Sequence, residues 1–130
     1  LVGSEMCIET DLESSADGIA LASYQTTLIE KITIYLTKNY CNNIKANDIG
    51  EAVGLHPDYA NYIFKKAFGT TITDYIAELR IAHAQRKLLT TDMSITDIAY
   101  ECGFNTIARF NATFFKKIRC TPREYKKLMK

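Results

Sequence analysis

The sequence predicts an all-α fold in which two copies of one helical unit are joined by a long central helix. Three observations predict it. Apolar residues recur at three- and four-residue steps in segment after segment, and no stretch alternates in period two between hairpin turns. The heptapeptide "DIGEAVG", Asp48 to Gly54, is written again as "DIAYECG", Asp97 to Gly103, an offset of 49 residues. Between the copies, Thr71 to Leu89 contains no Pro or Gly and carries two apolar stripes pointing in roughly opposite directions.

Residues 1–25 read as an acidic linker or tail. Residues 1–27 hold five acids and no Lys or Arg, with Ser and Gly interspersed. The folded part is expected over 26–130: a first lobe at 26–70, a connecting helix at 71–90 and a second lobe at 91–130. A helix begins near Thr26, with Leu28, Ile29, Ile32, Leu36 and Tyr40 on one face, and fades at "NYCNN". The next helix holds "DIGEAVG", with Ile49, Ala52 and Val53 inward and Gly54 at its exit. In "HPDYANYIFKKAFG", Pro57 suits the first helical position, because the amide it lacks would be unpaired there anyway. Tyr59, Ile63, Phe64 and Ala67 are its expected buried face, and Gly69 stops it.

In the long helix, Ile72, Tyr75, Ile76 and Leu79 form one stripe and Ile81, Ala84 and Leu88 the other. Stripes shifted along the axis suit a strut whose halves pack into different lobes. Ser94 and Asp97 resemble a capping box for a helix ending at Gly103. A further helix runs from about Asn105 to Ile118. The last starts at "TPRE", with Pro122 at the first position and Glu124 at the third.

Composition narrows the function. A hydrophobic content of 47% suffices for a core. No run of eighteen apolar residues suggests a membrane span, and no secretory signal opens the chain. The first residue is Leu1 rather than Met, which reads as a fragment of a longer protein. Cys7, Cys41, Cys102 and Cys120 show no C-x-x-C spacing, and His56 and His83 complete no zinc set, so reduced thiols in the cytoplasm and no metal are expected. With no Gly-rich phosphate loop and no acid pair beside a base, neither an enzyme nor a cofactor is expected. Residues 28–130 hold all sixteen basic residues but only ten of the fifteen acids. That balance is either ordinary surface charge or a basic face for a polyanion.

The repeat extends further. Phe64, Lys66, Thr71 and Tyr75 match Phe114, Lys116, Thr121 and Tyr125 at an offset of 50, so the second copy has one extra residue in or after its turn. A solenoid is the alternative reading, but solenoids generally need three or more units. A short helix, a glycine turn and a second helix describe a helix-turn-helix, whose second helix lies in the major groove. The outward residues are Asp58, Asn61 and Tyr62 in the first copy and Thr106, Arg109 and Asn111 in the second. Lys65, Lys66, Lys116 and Lys117 close the two helices, where cations reach phosphates.

Residues from about 26 to 130 resemble the DNA-binding domain of the AraC/XylS family of bacterial transcription regulators. The resemblance is carried by "DIGEAVGLHPDYANYIFKKAFGTTITDYIAELRIAHAQRKLL" and "SITDIAYECGFNTIARFNATFFKKIRCTPREYKK". "DYANYIF" and "RFNATF" are similar to its melibiose-operon-regulator branch. The resemblance implies two reading helices about 34 Å apart, one DNA turn. It implies double-stranded DNA and RNA polymerase as partners, and an effector acting through an N-terminal domain outside this chain.

Base-facing positions of the family fall on Asp58, Asn61, Tyr62, Thr106, Ile107, Asn111 and Ala112; phosphates are expected at Lys65, Lys66, Arg109, Lys116 and Lys117. The chain departs from the family where His56 and Ala108 replace the usual Ser, Arg119 the usual Gly, and Tyr62 and Ala112 a frequent Arg. Ile107 and Ala112 offer only apolar contact, so the second lobe is expected to act mainly through phosphates and shape. Arg80 matches a family arginine expected to tie the lobes. A helical protein-interaction module without DNA specificity is the alternative function.

Overall fold

The structure, a computed structural model, describes residues 16–130. Seven helices follow one another with no strand among the described residues: α1 Ala16–Asn39, α2 Ala46–Val53, α3 Pro57–Phe68, α4 Ile72–Thr90, α5 Ile95–Glu101, α6 Ile107–Ile118 and α7 Pro122–Met129.

The helix starts follow from side chains that accept a first-turn amide. Thr71 Oγ1 accepts from Asp74 N at 3.1 Å, Ser94 Oγ from Asp97 N at 3.0 Å and Thr106 Oγ1 from Arg109 N at 3.1 Å. The box at Thr121 is complete: its hydroxyl accepts from Glu124 N at 3.1 Å, and its own amide donates to Glu124 Oε1 at 2.9 Å. Those bonds hold the Glu124 carboxyl below its ordinary pKa. At α3 the cap is a ring nitrogen, His56 Nδ1, accepting from Asp58 N at 3.1 Å.

Two apolar clusters form, and the stripes of α4 divide between them. Leu28, Ile32 and Leu36 of α1 pack with Ile49, Ala60, Ile63, Phe64 and Ile72, joined by Tyr75, Ile76 and Leu79. Ile81, Ala84 and Leu88 pack instead with Ile98, Ala99, Cys102, Phe104, Phe110 and Phe114. The repeat holds in the packing. Phe64 meets Tyr75 edge-on at 5.2 Å and 70°, and Phe114 meets Tyr125 edge-on at 5.6 Å and 73°.

Three expectations are corrected. The first helix begins at Ala16, not near Thr26; the expected linker, read from its acids and serines, runs into a segment rich in Ala and Leu, which favour helix. Gln25 in it donates to Tyr59 OH at 3.1 Å, and Leu21 is half-buried. The part of the expected linker before residue 16 lies outside the described residues. Ala52 is exposed, and Gly50 is buried in its place. A Cβ on Gly50 would collide with the Leu55 carbonyl oxygen and press on the Pro57 ring at 3.3 Å, so this face of α2 admits only glycine. Ala67 is exposed and Ala60 buried, because the core reaches Ala60, Ile63 and Phe64 but not the last turn of α3. The fourth helix ends at Thr90, whose hydroxyl donates back to the Arg86 carbonyl at 2.7 Å.

The lobes meet at the end of α1. Arg80 Nε donates to the Tyr40 carbonyl at 2.6 Å and its Nη2 to the Asn42 carbonyl at 2.9 Å, while the guanidinium lies 5.8 Å from the Phe104 ring centre. One side chain thus holds the loop after α1 against the second lobe's turn, as expected for a tie. Gly103 sits beneath it with φ 108°, and a Cβ there would come within 2.8 Å of the Cys41 carbonyl oxygen. His83 contacts Tyr40 OH at 3.0 Å through Nδ1 and lies 3.6 Å from Glu101 through Nε2.

Candidate nucleic-acid interface

The two turns share one hydrogen-bond design. Leu55 N donates to the Gly50 carbonyl at 2.8 Å, and Phe104 N donates to the Ala99 carbonyl at 3.1 Å. Each is the wide turn-closing bond that follows a helix ending on a left-handed or glycine residue. The copies diverge just after it. His56, the residue following Leu55, caps α3, whereas Asn105 intervenes between Phe104 and the cap Thr106. The extra residue of the second copy therefore lies in the turn itself.

Each reading helix lies beside the starts of two neighbours. Asn61 on α3 lines a niche with Lys45 and Ala46 at the start of α2 and Ile72 and Thr73 at the start of α4. Asn111 on α6 lines the matching niche, with Ile95 and Thr96 of α5 and Pro122 and Arg123 of α7. Amides at helix starts favour anions, and each asparagine stands beside two such starts. Each niche carries one cation, Lys45 in the first and Arg123 in the second.

The remaining sequence-predicted positions are distributed as follows. Asp58 is exposed at the first turn of α3, 3.8 Å from His56 Nδ1. Tyr62 is half-buried; its ring stacks on Tyr59 at 6.4 Å, and Lys66 Nζ lies 5.9 Å from its centre. Lys65 and Lys66 are exposed in the last turn of α3. On α6, Ala112, Arg109 and Lys116 are exposed, while Ile107 and Lys117 are half-buried. Ile107 packs partly against the second core, which reduces what it offers outward. Thr106 already uses its oxygen as the cap acceptor, leaving its O–H to donate.

Arg109 sits on the side of α6 facing the first lobe. It shares a cleft with Ile44, Thr73 and Ile76, the same three residues that line the Asn61 niche. A continuous surface therefore runs from Asn61 across the start of α4 to Arg109. The sequence did not single out Asn43, Lys45 and Thr73 on this surface, nor Arg123 beside Asn111. Asn61 and Asn111 match at the repeat offset, and the neighbours of each could have been sought by the same offset. No cluster of three or more potential metal ligands occurs among the described residues, and no described helix is long and apolar enough to cross a membrane.

A helix-turn-helix domain family matches residues 49–128. The melibiose operon regulatory protein of Escherichia coli K12 is 38% identical over 94 residues, 72% of this chain and 31% of that protein. The chain thus spans about a third of the length of such a relative. A transcriptional regulator of Chromobacterium violaceum, described as containing an AraC-type DNA-binding domain, superposes with TM-score 0.73 at 27% identity, over 81% of this chain and 94% of that one. The DNA-binding domain of AdpA, solved with a target DNA, superposes with TM-score 0.73 at 17% identity, over 77% and 90% of the two chains.

Proposed function

Because the chain belongs to the AraC-type helix-turn-helix family, we propose that it is the DNA-reading part of a transcription regulator. In this reading α3 and α6 enter successive major-groove segments on one side of the duplex. The observation that supports it is the continuous surface from Asn61 on α3 to Arg109 on α6. The bound DNA of AdpA, a domain of the same fold, supports it.

The roles divide by chemistry. Asn61 has an amide able to bond adenine in two places, worth about 1–3 kcal/mol of discrimination. Asp58 accepts from a base amine, and Tyr62, Thr106, Ile107, Asn111 and Ala112 complete the base-facing set. Lys65, Lys66, Arg109, Lys116 and Lys117 hold phosphates. The second lobe, with Ala112 and Ile107 at reading positions, reads mainly backbone and shape. Activation through RNA polymerase, an effector domain elsewhere in the protein and a cytoplasmic location belong to the same proposal.

The test is a binding titration on duplex DNA at a series of salt concentrations. The logarithm of affinity should fall linearly with the logarithm of salt, with a slope of about −0.9 per phosphate neutralised. A flat dependence, or no binding at low salt, would favour a protein-interaction module. The exposed Tyr100, Phe115 and Leu128 are the observation on that side.

A further inference from the structure

Between the loop after α1, the first half of α4 and the start of α6 lies a cleft of about 360 Å³ with polar walls. Asn43 comes from the loop after α1, Thr73 and Arg80 from α4, and Asn105, Arg109 and Thr113 from the second turn and α6. Two guanidinium groups share this space, and no carboxylate lines it. Arg80 is engaged by two carbonyls, but Arg109 makes no side-chain hydrogen bond or ion pair with any described residue. Burial holds Arg80 below its ordinary pKa, and the Arg109 charge acts in the same direction. Two like charges beside one cleft repel until an anion enters between them.

The occupant must be anionic, and it must fit a surface continuous with the Asn61 niche. In the docking proposed above, that strip faces the backbone bordering the minor groove between the two major-groove segments. We propose, resting on that reading, that the cleft seats the phosphates of this intervening backbone. Arg109 supplies the charge, and Asn43, Thr73, Asn105 and Thr113 supply hydrogen-bond donors. The cleft then fixes how far α3 and α6 sit from one another on DNA without reading a base.

The experiment starts from a duplex that this chain selects out of random DNA. The duplex is remade with a single uncharged methylphosphonate linkage at each successive backbone position. A linkage in the intervening segment should weaken the unsubstituted protein several-fold. Arg109→Gln should weaken the fully charged duplex comparably, lower the salt slope by about 0.9, and lose its response to that linkage. Thr113→Asp, which offers Arg109 an internal carboxylate, should weaken binding while the melting temperature holds.

Interference confined to the two major-groove segments would overturn the proposal and leave groove reading intact. So would losses from Arg109→Gln and the linkage that simply add. If millimolar pyrophosphate stabilised the protein through Arg109 and no intervening linkage mattered, the cleft would belong to a free anion instead. Recovery of no duplex at the selection step would sink both the groove reading and this one.

Discussion

Arg119 closes α6 with φ 73° and ψ 14°, the same backbone shape in which Gly69 closes α3, φ 74° and ψ 6°. A side chain in that left-handed region crowds its Cβ against the following carbonyl, at a cost of about 1–2 kcal/mol. Arg119→Gly removes the crowding but adds chain entropy to the unfolded state. A net gain of about 0.5–1 kcal/mol is expected, seen as a higher urea midpoint at unchanged slope. A lower midpoint would mean that the arginine contributes more to the fold than its backbone costs. This strain was legible beforehand, because the repeat aligns Arg119 with Gly69. The tightness at Gly50 was not. The second copy has Ala99 at that place, and its longer turn with Ile107 in place of Pro57 leaves room for the methyl group. Whether a Cβ fits there depends on the Leu55 carbonyl and the Pro57 ring, which the heptapeptide itself does not contain.

At the scale of the element, α4 carries the most. Its opposite stripes announced a strut, and each half joins a different core. Hidden from the sequence was the bridge at its centre, where His83 touches Tyr40 at the end of α1 and lies beside Glu101 of α5, which also pairs with Lys87 at 3.4 Å. Such a bridge joins residues far apart in the chain and leaves no periodic trace. Burial lowers the His83 pKa, the Arg86 charge adds to this, and Glu101 opposes it. A base depressed in the native state binds fewer protons there than in the unfolded chain. Its contribution is therefore complete above about 6.5, the ordinary histidine value. It is lost as pH falls through the lower native value. The melting temperature should drop between pH 7 and 5 in the parent chain and drop less in His83→Gln. Parallel curves for the two would assign the acid sensitivity to other groups. The extent of α1 was the element misjudged, since the acids and serines of residues 1–25 masked Ala16, Ala20, Leu21 and Ala22, which favour helix.

For the whole molecule, the division of labour between base and backbone is the quantity to measure. Asn61→Ala should relax preference at one base pair in a library of sites, and Lys65→Ala should weaken every site by a similar factor. Identical profiles for the two variants would remove the distinction between reading and holding. The two-unit plan was legible because the same residues recur at a fixed offset. The side on which the units open was not, since it depends on how far α4 turns between Ile72 and Leu88 and on where Arg80 pins α1. The extra residue Asn105 bears on a different matter. The two units follow one another in the same sense along the chain, and their turns differ in length, so no two-fold axis relates them. A single molecule docked as proposed would have no use for a palindrome. It would recognise an asymmetric sequence with a head and a tail, and inverting that sequence in the genome would reverse the bound protein, carrying α1 to the opposite flank.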